Sequence, residues 1–159
     1  MGLMIDFSTT EVIQSPVCGV LSSQGGDLAI RFGAQYIYVN YQAASYVNTH
    51  VSRQYPLNNR TVISIDEDHS IYVAGEIKGQ FERTEDVQNL PIYIFKANTA
   101  SSYRISKLKL YHFSLFDQRG VVLNLKPVRK DGVGYMYDTV SGQLFGNSGT
   151  GAFILGPDV

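Results

Sequence analysis

The chain has 159 residues and a formal net charge of −1, which fits one domain, spanning 1–159, that buries about 70% of the surface its unfolded form exposes. Its basic residues are scattered, which excludes the electrostatic footprint of a phosphate-backbone binder, so no nucleic-acid partner is expected. Its one cysteine, Cys18, excludes an intrachain disulfide and sits in the apolar stretch Pro16–Leu21, where a buried small hydrophobe is expected rather than a reactive thiol.

In chain order, the start Met1–Asp6 lacks the basic region and apolar core of a signal peptide. Asp6 fills the position where a myristoylation motif wants Ser or Thr. No apolar run approaches the roughly 18 residues that suggest a membrane span, so no membrane insertion is expected. Short alternating runs rich in Val, Ile and Tyr then predict strands. They fall at Leu3–Phe7, Val17–Leu21, Leu28–Phe32, Tyr36–Tyr41, Tyr46–Ser52, Thr61–Ile65, Ile71–Ala74, Ile77–Phe81 and Ile92–Ala97. Further strands are predicted at Leu108–Phe116, Val121–Pro127, Tyr135–Asp138, Gln143–Phe145 and Ala152–Leu155. Two of these runs alternate cleanly. Leu28, Ile30 and Phe32 share one face, with Ala29 and Arg31 opposite. Ile37 and Val39 share a face, with Tyr36, Tyr38 and Asn40 opposite. Leu108–Phe116 carries apolar residues on both faces, which marks either a strand covered on both sides or a bulge.

Turn chemistry separates the runs. Ser22–Asp27 reads as a flexible connection, Asp66–His69 as a hairpin tip, and Gln118-Arg119-Gly120 as a tight turn in which glycine supplies a positive φ. The one helical candidate, around Arg83–Gln88, is a single turn. Many short strands at regular spacing predict an all-β, two-sheet antiparallel sandwich of jelly-roll type.

Chemistry-bearing residues are sparse. His50, His69 and His112 show no spacing that puts two imidazoles on one face, so no metal site is expected. Asp66 and Asp68 could in principle offer oxygens to calcium, but acids at a hairpin tip more simply solvate a turn. Glu82, Glu85 and Asp86 lie close together in a polar loop, without the strand spacing that would set two carboxylates across a glycosidic bond. Asn147–Gly151 is glycine-rich but is followed by no helix, so it reads as a turn rather than a phosphate cradle. No dinucleotide fingerprint or nucleophile elbow is present, and no cofactor is expected. Asn59-Arg60-Thr61 is a formal glycosylation sequon. Eleven tyrosines stand against no tryptophan. Sugars bind by stacking on aromatic rings and by hydrogen bonding to amides. Tyr36, Tyr38 and Asn40 on one face, with Tyr93 and Asn98 on and beyond another strand, are therefore the candidate ligand-binding residues. The alternative is that these tyrosines only cover a sheet or lie in a subunit interface, where tyrosine is enriched.

The last third of the chain carries Leu108–Asp117, Val121–Arg129, Asp131–Asp138, Ser141-Gly142 and Asn147–Phe153. With its Tyr137-Asp138 unit and the glycine-rich segment Gly146–Gly151, it resembles the C-terminal part of concanavalin A-like lectin/glucanase (laminin G-like) domains of phages and gut bacteria. Ser64–Gly75 is similar to that family's "Asp-turn-Tyr-Val-Asn-Gly" hairpin, with Ala74 in place of the asparagine. The resemblance implies a recognition or adhesion module without catalysis, on a virion or at the cell surface, that binds a glycan or a host surface protein. A structural virion part, such as a capsid decoration or tail component contacting other virion proteins, is the alternative, and a glycoside hydrolase the third reading. Domains of this family commonly open with a strand before the segment resembling Leu3–Thr10. Its absence would leave a sheet edge unpaired, and this predicts assembly as a homo-oligomer or on a larger particle.

Overall fold

A computed structural model of the chain describes residues 2–11, 16–20, 28–41, 46–82, 92–94, 107–149 and 151–156. These residues form an all-β sandwich of two antiparallel sheets with a jelly-roll-like arrangement. In chain order the strands are β1 (Gly2–Thr9), β2 (Pro16–Val20), β3 (Leu28–Phe32), β4 (Tyr36–Tyr41), β5 (Val47–Ser52), β6 (Thr61–Ile65), β7 (Ser70–Val73), β8 (Glu76–Gln80), β9 (Tyr93–Ile94), β10 (Leu108–Asp117), β11 (Gly120–Lys130), β12 (Val133–Asp138) and β13 (Leu144–Phe145). The larger sheet runs β13-β12-β11-β10-β1-β6-β7-β8, and the smaller one β5-β4-β3-β2-β9. Among the described residues no helix is long and apolar enough to cross a membrane.

The period-2 pattern builds the core. Leu3, Ile5 and Phe7 of β1 point inward with Ile63 and Ile65 of β6, Ile71 and Val73 of β7 and Phe113 of β10. From the other sheet come Leu28, Ile30 and Phe32 of β3 and Ile37 and Val39 of β4, all buried. Phe7 and Phe32 meet across the layers, their ring centroids 6.2 Å apart. Two inward faces closing over one apolar interior remove that surface from water, which is the main force holding such a sandwich together.

The mixed pattern of Leu108–Phe116 is explained by a bulge. Asp6 pairs with His112 but Phe7 pairs with Leu110, so Tyr111 is an extra residue and parity inverts across it. The hairpin tip Asp66–His69 closes with His69 N–H donating to the Asp66 carbonyl at 3.0 Å. Gly120 adopts the expected positive φ, 120°.

One sequence-based expectation needs correction. Ala152–Leu155 is not a strand: residues 152–156 have no regular structure. Phe153 and Leu155 instead lie side-on against β12 at Gly134, where an added Cβ would come 3.0 Å from Phe153 Cβ and 2.8 Å from Leu155 Cδ2. Alternating apolar residues here report side-chain burial without a backbone ladder. The segment is tied by Arg129 Nη2 donating to the Gly156 carbonyl at 2.7 Å. Strand β1 is paired with β10 on one side over Gly2–Thr9 and with β6 on the other over Leu3–Phe7. The first strand therefore borders no open edge. Among the described strands the outermost are β13 and β8 of one sheet and β5 and β9 of the other. The helical candidate Arg83–Gln88 and the connection 22–27 lie outside the described residues.

Candidate functional site

The outward face of the five-stranded sheet gathers most of the candidate ligand-binding residues. Register places Tyr38 opposite Arg31 on β3 and opposite Asn48 on β5, and places Asn40 opposite Ala29. Ala29 is opposite Gly19, and Gly19 is opposite Tyr93. Tyr93 and Asn40 thus end one transverse row, roughly 14 Å apart at three strand spacings, with only Gly19 and Ala29 between them. Gly19 has φ 138°, and a Cβ there would stand 2.0 Å from the Leu28 carbonyl oxygen, so this floor position excludes any side chain. Gly19 and Ala29 are both buried, so the middle of this row is closed to solvent.

Tyr36, Tyr38 and Tyr93 are half-buried, whereas Asn40 is 3% exposed and lies deep in the face. The structure therefore sets Tyr36, Tyr38 and Tyr93 half-buried on one face, whereas Asn40 shares that face but is buried and not presented to a ligand. Asn98 lies outside the described residues. Tyr36 packs against His50 of β5, with ring centroids 5.8 Å apart.

Sequence reasoning placed Arg31 on this face without giving it a role. Its guanidinium carbon lies 4.1 Å from the Tyr46 ring centroid and 5.8 Å from that of Tyr38, a cation within reach of two aromatic rings. Its Nε is buried and has no hydrogen-bond partner. None of the five strands of this sheet carries an Asp or Glu, and Arg31 is their only Lys or Arg. The signal was present in the sequence as a lone charge in an apolar run. Its two tyrosine partners could be found only from cross-strand register.

The eight-stranded sheet bears polar clusters of a different kind. Asp6, 6% exposed, accepts hydrogen bonds from Arg60 Nε at 3.0 Å and Arg60 Nη2 at 2.6 Å. The Arg60 guanidinium also lies 4.7 Å from the Tyr111 ring centroid, and the Tyr111 and Ser8 hydroxyls are 3.3 Å apart. His112, half-buried, bonds through Nε2 to Asn124 Oδ1. Asp138, of the Tyr137-Asp138 unit, accepts from Asn124 N at 2.9 Å, Val140 N at 3.1 Å, Ser141 N at 3.1 Å and Ser141 Oγ at 2.6 Å. Chiefly through the Ser141 hydroxyl, this holds its carboxyl down at about 2. The carboxylate is spent on ordering the turn after β12.

Asp66, Glu67, Asp68, Asp117 and Gln118 line a shallow, open depression of about 610 Å³ between two hairpin tips. Asp68 is engaged there by Ser70 N and Ser70 Oγ, each at 3.1 Å. Asp117 is held below the usual carboxylate range by the Arg119 backbone N–H and guanidinium. Among the described residues, no three His, Cys, Asp or Glu side chains are grouped to hold a metal ion. Cys18 is buried, and burial pushes its thiol up to about 12, so it is no nucleophile in the folded chain. Asn147 closes the glycine-rich segment as a turn, its Nδ2 donating to the Gly151 carbonyl at 2.6 Å and its Oδ1 accepting from Gly149 N at 3.0 Å.

Comparison of the chain with protein-family models, with curated proteins and with solved structures gave no match.

Proposed function

We propose that this chain is a non-catalytic recognition module that adheres to a glycan or a surface protein, displayed on a phage virion or a bacterial surface. The observation that carries the reading is the grouping of Tyr36, Tyr38 and Tyr46 with Arg31 and Asn48 on one sheet. Aromatic rings offer flat apolar faces to sugar C–H groups, while the amide and guanidinium serve hydroxyls and charged substituents. The resemblance of the C-terminal third to concanavalin A-like lectin domains points the same way. Affinity at one shallow face is modest, and several copies in a homo-oligomer would supply avidity.

Catalysis is not part of this reading. A glycoside hydrolase needs one carboxyl raised toward neutrality beside a second that stays ionised. Among the described residues the displaced carboxyls, Glu76, Asp117 and Asp138, are all displaced downward.

Screening the purified chain on a glycan array tests the proposal. Binding is expected, and Tyr38→Ala is expected to weaken it roughly tenfold while leaving the fold intact. A structural virion part is the second reading, favoured by Val121, Val122, Val133, Val140, Leu144 and Phe145, which stay exposed on β11–β13 and the turn after β12. An array without hits, together with a stable complex with another virion protein that protects Tyr36 and Tyr38 from hydroxyl-radical footprinting, would replace the first reading with the second.

A further inference from the structure

We infer that the Tyr36/Tyr38 face selects acidic sugars, and that Arg31 is the residue that grips the ligand's carboxylate. The inference rests on the glycan-binding reading and narrows its ligand class.

Arg31 is the point of departure. A guanidinium is always charged, and it is seldom left half-buried without a counter-charge. Asp6 pairs with Arg60, Glu76 with Lys78, Glu11 with Lys107 and Asp117 with Arg119. Arg31 has no such partner among the described residues. Its Nε finds no acceptor, and its own sheet has no carboxylate to offer. What lies against it is aromatic: the Tyr46 ring at 4.1 Å and the Tyr38 ring at 5.8 Å from its guanidinium carbon. Ring contacts of this kind attract the cation but supply no counter-charge. A carboxylate matches that fork in shape and sign, forming two parallel charge-assisted hydrogen bonds.

The neighbours fit a sugar that carries the carboxylate. Tyr38 faces both Arg31 and Asn48 across the strands. The Tyr36–His50 pair lies one strand position pair further along β4 and β5. A pyranose ring stacked on the tyrosines could present its carboxylate to Arg31 while its hydroxyls reach the Asn48 amide. A neutral sugar would use the rings and leave the cation unmatched.

The test uses the whole chain against an array holding neutral glycans, glycans with uronic or sialic acid, and sulfated neutral glycans. Each carboxylated hit is re-measured after its carboxyl is reduced to the alcohol. Binding is expected to concentrate on the carboxylated set and to fall roughly 10- to 100-fold on reduction, the range of one charge-assisted contact. Arg31→Gln should cause the same loss, and Arg31→Lys, which keeps the charge but not the fork, a smaller one. The carboxyl reduction leaves the protein untouched, so it decides the matter even where a variant folds poorly. Hits that ignore charge would overturn the role of Arg31 while leaving glycan binding intact. Hits confined to sulfated glycans would overturn the carboxylate. No hit on any glycan would overturn both the inference and the reading beneath it.

Discussion

Ala74 is where residue type and backbone disagree most clearly. Val73 pairs with Glu76, so Ala74 and Gly75 form a two-residue hairpin loop, and both have positive φ, 53° and 82°. That is the type I′ turn, in which Asn-Gly and Asp-Gly are favoured because other side chains crowd the backbone. The β11–β12 hairpin uses Asp131-Gly132 for the same geometry, with φ 52° and 76°. The asparagine expected at position 74 from the family resemblance would thus serve the turn before any ligand. Ala74→Asn is expected to stabilise the chain by about 0.5–1 kcal/mol. This reads out as a higher urea midpoint with an unchanged slope. A midpoint that stays or falls would show that the loop relaxes its strain elsewhere. The sequence reading carried a strand through Ala74, whereas β7 ends at Val73 and Ala74 stands in the turn, because alanine gives no sign of the left-handed conformation it is made to adopt.

Among the elements, β12 depends on the residue that ends it. Asp138 titrates at about 2 instead of 3.8, so its bonds contribute stability above about pH 3.8 that drains away as pH falls through 2. Urea midpoints measured from about pH 6 down to about pH 2 should therefore drop for the native chain. Asp138→Asn should begin lower at neutral pH and lose less across that window, so that the two curves converge in acid. Parallel curves would mean that Asp138 carries no part of the acid sensitivity. Strands were the most legible feature of this chain. Leu28–Phe32 and Tyr36–Tyr41 fall where the alternation of Leu28, Ile30 and Phe32 and of Ile37 and Val39 put them. Legibility failed where a side chain packs without its backbone pairing. Phe153 and Leu155 alternate as a strand would, yet they lean on Gly134, and no local pattern records a vacancy on a distant element.

For the molecule as a whole, the joint between sheets is the measure of stability. Phe7→Ala and Phe32→Ala should each cost about 3–5 kcal/mol in denaturant unfolding. Because the two rings touch, the double variant should cost less than the sum, with a coupling of about 0.5–1.5 kcal/mol. Simple additivity would mean that the layers close on other contacts. The candidate site was only half legible for the same reason that this joint was hidden. Tyr36, Tyr38 and Asn40 share a face by counting along one strand. Bringing Tyr93 into their row, or Tyr46 over Arg31, needs pairings between distant parts of the chain. The arrangement also bears on how the protein is made. Strand β1, translated before the other described strands, lies inside the larger sheet, and Gly2 pairs with Phe116. At ribosomal speeds of about 5–20 residues per second, Leu3, Ile5 and Phe7 emerge many seconds before their partners on β10 exist. Until then β1 can pair with β6 but not with β10, and this long-range pairing predicts slow folding.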